Sequence, residues 1–313
     1  MRIALCQVPV SPDPSVNLSR AGAALKEAAA GGAELAVFPE ATMVRFGSDL
    51  RAAAEAVDGP FCSGLAAACA STGVALVAGV FEPAPDGRVF NTAVAFSSSG
   101  ALVAAYRKLH LFDALGQRES DLVAPGSAVV VTSLAGVPVG LQTCYDIRFP
   151  ELSRALAAGG APLLVVSAAW QAGLFKEEHW VTLLRARAIE NTVWVAAAGQ
   201  VPDPDSKPTR APTGVGRSML IDPLGVVRAD LGPAAGQVPD PDSPPTRAPT
   251  GVGRSMLIDP LGVVRHDMGP SAGVAVVEAD MALVDSVRAS LPSLANRRED
   301  VFGPAVPNAA KAR

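Results

Sequence analysis

Cysteine is scarce in this sequence and unpaired. The chain has four, Cys6, Cys62, Cys69 and Cys144, with no CxxC pair and no even set of short spacings. A disulfide scaffold is excluded, and reduced thiols in a cytosol are expected. Histidine is scarcer still, with three residues, His110, His179 and His266, scattered and without an acidic cluster. No metal site is expected from them. No apolar run reaches the length of a membrane span, and the opening MRIALCQVPV is too short and too strand-like for a signal peptide. Neither sign of charge dominates: the net charge is −4, which leaves no footprint for nucleic acid or an anionic membrane. A cytoplasmic protein free of both is expected. Aromatic residues are 5% of the chain, while Ala, Gly and Pro abound, a bias that fits a GC-rich genome more than a function. With 313 residues, 49% of them hydrophobic, there is enough chain for one large domain or two ordinary ones.

What is present begins with alternating and apolar segments. Arg2 to Val8 reads as a strand, Ser11 to Ser15 as a turn, Asn17 to Ala30 as a helix stopped by Gly31 and Gly32, and Leu35 to Phe38 as a short core strand. This is a β-α-β unit, so the sheet is at least partly parallel and covered by helix. Asp49 to Ala56 and Pro60 to Ser71 read as helices and Val74 to Val80 as a core strand. Phe90 to Phe96 and Ala101 to Tyr106 flank SSSG, a hairpin signal. Val137 to Leu141 is apolar and leads to Cys144, after which Pro150 opens a helix. Leu163 to Ser167 and Val193 to Ala198 are strands around a helix at Glu178 to Asn191.

Three reactive side chains sit at strand ends, where sites collect in sheets of this kind. Glu40 follows the strand ending at Phe38. Its bland reading is a solvated loop residue; its functional one is a general base. Lys108 follows the strand ending at Tyr106. It is either a snorkelling surface lysine or a fixed cation beside a reacting carbonyl oxygen. Cys144 is either a buried structural thiol or a nucleophile whose thiolate the nearby helix N-terminus favours. The loop from Asp113 to Gly126 is long and contains Glu119, and long ordered loops in compact domains are often functional.

FPE at Phe38 to Glu40, YRKLHLF at Tyr106 to Phe112 and CYDIRFPE at Cys144 to Glu151 occur in that order. With them the chain resembles the nitrilase superfamily of carbon–nitrogen hydrolases, in its amidase-like branch. KEEHW, RARAIEN, SMLIDPLG and the final RRED extend the likeness over nearly the whole chain. The resemblance implies an α/β fold, a four-layer α-β-β-α sandwich that pairs into a homodimer or higher homo-oligomer. It implies a Glu–Lys–Cys triad at Glu40, Lys108 and Cys144, with Glu119 as an accessory carboxylate on a shorter motif. It also implies a thioester mechanism without cofactor or metal. There Cys144 attacks the carbonyl carbon of a small amide, and Lys108 and the backbone N–H of Tyr145 hold the oxyanion. Glu40 moves the protons, and water completes the reaction. The CYD after the strand resembles amidase and carbamoylase relatives more than nitrile-cleaving ones. Short acyl pockets favour ω-amides of dicarboxylates or small aliphatic amides, with N-carbamoyl compounds open. A catalytically silent assembly protein is the alternative of a different class.

Trp170 follows the strand ending at Ser167, either as an acyl-pocket wall or as core. Arg185, Arg187 and Glu190 are expected to form structural ion pairs. His110 and His179 are expected to pack or cap, although His110 could line the site. Residues 199–235 are then repeated as 236–272, differing only at Lys207/Pro244, Ala229/His266, Leu231/Met268 and Ala234/Ser271. Two copies make no solenoid. One is expected in the sheet and the other as an inserted hairpin outside the catalytic core, with either order open. His266 stands where the other copy has Ala229, so a required role is not expected. The hydrolase domain is expected to span 1–280, and 281–313 to form a C-terminal interface segment whose last residues, from about Asn308, are mobile.

Overall fold

The computed structural model describes residues 1–171, 176–203, 216–231, 255–258, 264–267 and 272–303, of which 255–258 and 264–267 are described as backbone alone. Residues 204–215 of the first copy's Pro/Asp-rich loop, the whole of the second copy's loop and the tail from Asn308 lie outside them. In chain order the elements open with β1 (Arg2–Gln7), α1 (Pro14–Ala30), β2 (Leu35–Val37), α2 (Leu50–Ala53), α3 (Pro60–Thr72), β3 (Ala75–Pro83), β4 (Val89–Phe96) and β5 (Leu102–Arg107). Then come β6 (Val123–Ala124), β7 (Val131–Leu134), β8 (Val137–Thr143), α4 (Pro150–Ala158), β9 (Leu163–Ala168), α5 (Lys176–Asn191) and β10 (Trp194–Gly199). The chain continues through β11 (Met219–Ile221), β12 (Val227–Leu231), β13 (Ser255–Ile258), β14 (Val264–Asp267), β15 (Gly273–Glu278), α6 (Ala282–Ser290) and α7 (Glu299–Phe302).

The described strands form two sheets. One runs β15-β1-β2-β3-β4-β5, with β6 beside β4; the other runs β14-β13-β12-β11-β10-β9-β8-β7. Strand alternation shows how they stack. Ile3, Leu5, Val37 and Val77 face a core shared with Leu141, Val165 and Ala196 of the second sheet. Their neighbours Ala4, Cys6, Ala36 and Leu76 face a separate core with Leu25 of α1 and Leu65 of α3. Leu152 and Leu156 of α4 and Trp180 and Leu184 of α5 cover the outer side of the second sheet. The order is helix, sheet, sheet, helix, and apolar strands buried on both faces are what such layering requires.

Several boundaries move. Helix α1 starts at Pro14, because Asp13 caps it by accepting the Ser15 N–H at 2.8 Å, so the expected turn is a cap. Helix α2 stops at Ala53, since the Glu55 N–H turns away to the Phe81 carbonyl at 3.1 Å. Strand β3 runs on to Pro83 because β4 pairs with it as far as Val89. In the repeated segment the first copy takes the inner place: β11 pairs with β10. The second copy adds β13 and β14 outside β12. Helix α6, in the expected interface segment, is tied to the core through Val284 and Val287.

Candidate active site

Each candidate residue is aimed by the backbone around it. After β2 the chain bends sharply: the Pro39 carbonyl accepts from the Gly79 N–H at 3.1 Å and from the Thr42 hydroxyl at 2.7 Å. Ala41 has φ +56°. At Gly79 a Cβ would come within 2.8 Å of the Glu40 backbone, so only glycine lets β3 pass this close. Lys108 follows β5 and is pinned by its N–H to the Asn91 carbonyl at 2.8 Å. Cys144 follows β8 with φ +48°, in the left-handed region that non-glycine residues avoid at a cost of about 1–3 kcal/mol.

What holds that strained residue is Asp146, two positions on and fully buried. It accepts from the Thr143 N–H at 2.9 Å, the Tyr106 hydroxyl at 2.7 Å and the His110 N–H at 3.0 Å. The His110 ring adds a contact at 2.8 Å. One carboxylate therefore ties the lysine-bearing loop to the cysteine-bearing turn.

These turns bring Glu40, Lys108, Glu119 and Cys144 to one cavity of about 150 Å³. The Lys108 ammonium lies 2.9 Å from Glu40 Oε1, and 3.1 and 2.9 Å from the two Glu119 oxygens. Asn91 Nδ2 donates to both carboxylates, at 2.7 Å to Glu40 and 3.1 Å to Glu119. The Ala169 N–H donates to Glu40 Oε2 at 2.8 Å, and the Phe112 N–H to Glu119 Oε2 at 2.6 Å. Cys144 lines the same cavity as Glu40 and Lys108, and both act on its thiol electrostatically.

Two carboxylates around one ammonium decide the resting protonation. Burial by itself would push the Lys108 ammonium down, but Glu119 and Glu40, with a lesser part from Cys144, hold it well above its ordinary value. Burial lifts the Cys144 thiol well above the ordinary thiol range; Glu40 lifts it further, and Lys108 opposes both. The expectation that the helix N-terminus favours a resting thiolate is corrected. The thiol keeps its proton because it faces a net negative, dry site.

The remaining candidates fall outside the cavity wall. Trp170 is buried behind it, packed on Trp180 and donating its indole N–H to the Lys176 carbonyl at 2.7 Å; its neighbours Ala169 and Gln171 line the cavity instead. The Tyr145 ring packs edge-on against Phe112 and Phe149. Its backbone N–H lies in the first turn of the short 3-10 segment Cys144–Arg148, where N–H groups have no intrahelical acceptor. His110 stacks on Phe149, and His179 meets Arg148 at 3.3 Å. Arg187 pairs with Glu190 at 2.9 Å, whereas Arg185 donates to the Gly225 carbonyl. The His266 side chain lies outside the described residues.

A family model described as carbon-nitrogen hydrolase matches residues 2–238. The chain belongs to the carbon-nitrogen hydrolase family. The match takes in the whole first copy of the repeat and stops within the first residues of the second. A hydrolase of Mycobacterium tuberculosis is 47% identical over 239 residues, covering 74% of this chain and 85% of that protein. The deaminated glutathione amidase of Escherichia coli O157:H7 is 36% identical over 233 residues, covering 73% and 85%. Among solved structures, a Glu-to-Gln variant of the amidase from Nesterenkonia sp. AN1 superposes with a TM-score of 0.72 at 26% identity, over 96% of this chain and 95% of that one. In that amidase the acetamide moiety of fluoroacetamide is covalently attached to the active-site cysteine. A carbon-nitrogen hydrolase with amidase relatives is an amide-hydrolysing enzyme.

Proposed function

We propose that this carbon-nitrogen hydrolase cleaves a small carboxamide through a thioester on Cys144, with Glu40 as general base and acid. The observation that carries the reading is that Glu40, Lys108 and Cys144 line one small cavity, with the Lys108 ammonium 2.9 Å from Glu40 Oε1. As sulfur adds to the carbonyl carbon, its proton passes to Glu40. The oxyanion is received by the Lys108 ammonium and the Tyr145 N–H. Collapse breaks the C–N bond, Glu40 gives the proton to the departing ammonia or amine, and the acyl group stays on sulfur. Water then gives one proton to Glu40 and its oxygen to the acyl carbon. The second collapse returns the proton to sulfur and releases a carboxylic acid. Glu119 holds Lys108 in place throughout. The elevated thiol value supports this order, since a protonated resting thiol needs a base at the moment of attack. The cysteine adduct on the Nesterenkonia amidase supports the choice of nucleophile.

We place the enzyme in the cytoplasm as a homodimer or higher homo-oligomer, with residues 281–313 at the interface. Support comes from the free thiols and from Leu291 and Val301, both exposed in that segment. Among the described residues no helix is long and apolar enough to cross a membrane.

The test is ammonia release from a panel of amides, nitriles and N-carbamoyl amino acids, compared with Cys144→Ala, together with intact-mass trapping of the acyl adduct. Amide turnover that vanishes in Cys144→Ala is expected. Turnover that survives the substitution, or a panel answered by nitriles alone, removes the reading.

A further inference from the structure

Two glutamates face the same ammonium, and one asparagine stands between them. Asn91 lies in β4, on the face that Ala93 and Ala95 turn toward the core between the sheets. It is 1% exposed, and it is not among the residues that line the cavity. Its Nδ2 donates to Oε1 of both carboxylates, at 2.7 Å to Glu40 and 3.1 Å to Glu119. Its Oδ1 is buried and, among the described residues, has no hydrogen-bond partner. The reverse orientation of the amide would aim that oxygen at two carboxylates, so charge decides which atom is nitrogen. An amide kept for packing alone has no reason to leave one half unsatisfied in the interior. This one is placed for its donors.

An ionised carboxylate has about four acceptor sites, two on each oxygen. On Glu119 all are taken: Oε1 by Lys108 and Asn91, Oε2 by Lys108 and the Phe112 N–H. On Glu40, Oε1 is filled by Lys108 and Asn91, while Oε2 receives only the Ala169 N–H. One acceptor site is left on the pair, and it belongs to Glu40. We propose that Asn91 is a positioning residue: by filling a site on each carboxylate, it leaves Oε2 of Glu40 as the single place for the proton of Cys144. This rests on the amide-hydrolase reading above. There the S–H bond breaks as sulfur adds to the acyl carbon, and the new O–H bond forms on Oε2. At collapse that O–H bond breaks in turn and its proton goes to the departing nitrogen. Without Asn91 each Oε1 regains a site, and the proton is shared with Glu119. A protonated Glu119 loosens its hold on Lys108.

The experiment follows kcat and KM against pH in the full chain, with the amide that turns over best in the panel. Asn91→Leu keeps the branching of the side chain and removes its donors. It lowers kcat on the order of 10- to 100-fold and leaves KM within about twofold. Donors to a carboxylate favour its ionised form, so the loss is roughly tenfold larger on the acid limb than at the plateau. Asn91→Asp keeps the shape exactly where packing needs it and adds a third negative charge, and it loses at least as much kcat as Asn91→Leu. A loss equal at all pH values, a loss carried by KM, or an Asn91→Asp protein within about threefold of the wild type overturns the proposal. A second measurement needs no change at Asn91. In NMR spectra of the side-chain amides, one asparagine pair has one proton that moves in Glu40→Gln and the other in Glu119→Gln. Spectra in which no pair answers to both glutamates overturn the proposal. A wild type that releases no ammonia from any amide and takes no adduct on Cys144 removes the amide-hydrolase reading and this inference with it.

Discussion

At Cys144 the charge balance runs against the nucleophile until substrate arrives, and that gives a prediction with a definite sign. Burial raises the thiol first and Glu40 second, against Lys108. Glu40→Gln removes a raising charge and leaves Lys108 in place, so the thiol titrates at lower pH than in the wild type. Turnover moves the other way, falling on the order of 100-fold or more with the general base gone. Thiolate absorbance against pH, taken as a difference from the matching Cys144→Ala protein, isolates this thiol. The subtraction also removes Cys62 and Cys69, which burial pushes up to about 12. A midpoint that stays or rises in Glu40→Gln would show that Glu40 does not set it. Linkage has the matching sign. A thiol with a raised folded value favours folding fully below the ordinary thiol range, and loses that contribution as pH rises through the folded value. Residues of this kind were only half legible. Glu40, Lys108 and Cys144 stand at strand ends and can be read there. Asn91, which bridges the two carboxylates, sits inside apolar β4, where its only signal is an amide amid VF and AV.

The turn from Cys144 to Arg148 is an element built around one buried carboxylate. Removing Asp146 leaves the Thr143 and His110 N–H groups and the Tyr106 hydroxyl without their acceptor, and the Thr143 and Tyr106 donors are buried. Each orphaned donor costs about 1–3 kcal/mol, so Asp146→Ala is expected to lose about 3 kcal/mol or more of stability. Denaturant unfolding measures that loss. The same variant frees Cys144 from its left-handed φ, so ammonia release falls as well, although Asp146 touches no reacting atom. A loss below about 1 kcal/mol would mean that the turn holds itself. No glycine marks this position in the sequence, which is why the strain there could not be foreseen. The strands were legible for the opposite reason: β2 and β9 are buried on both faces, and continuous apolar runs record that directly. Gly73, with φ +70°, caps α3 at Thr72, one residue beyond the Ser71 at which the sequence reading ends it. Helix α2 was overestimated because a single long-range bond, from Glu55 to β3, ends it, and periodicity carries no trace of such a bond. Trp170 finds a packing partner in Trp180, ten residues on.

For the molecule as a whole, the repeat poses the largest question, and the sheet order answers part of it. The first copy meets the body through bonds that fix its place. The Ser218 N–H donates to Gln7 at 2.9 Å, Gln7 donates to the Leu231 carbonyl at 3.2 Å, and Trp180 donates to the Arg217 carbonyl at 2.7 Å. The second copy adds strands only at the outer edge, far along the sheet from β8 and Cys144. Deleting 236–272 should therefore leave amide turnover within about twofold and remove an edge that invites association. Deleting 199–235 instead gives a chain that differs from the first deletion at only four positions, because the copies are otherwise identical. Two of these, 207 and 234, lie outside the described residues. The other two matter: Leu231, 2% exposed, becomes Met, a swap of similar volume. Ala229, 5% exposed, becomes His, a larger polar ring in a filled space. Overpacking of that kind costs about 1–3 kcal/mol, so the second deletion should be the less stable of the pair. Changing its histidine, His266→Ala, should restore the difference. Thermal melts and ammonia release on the three chains test this together. Equal melting of the two deletions would show that the site beside β11 tolerates either copy. Loss of turnover in both would show that the second copy does more than extend an edge.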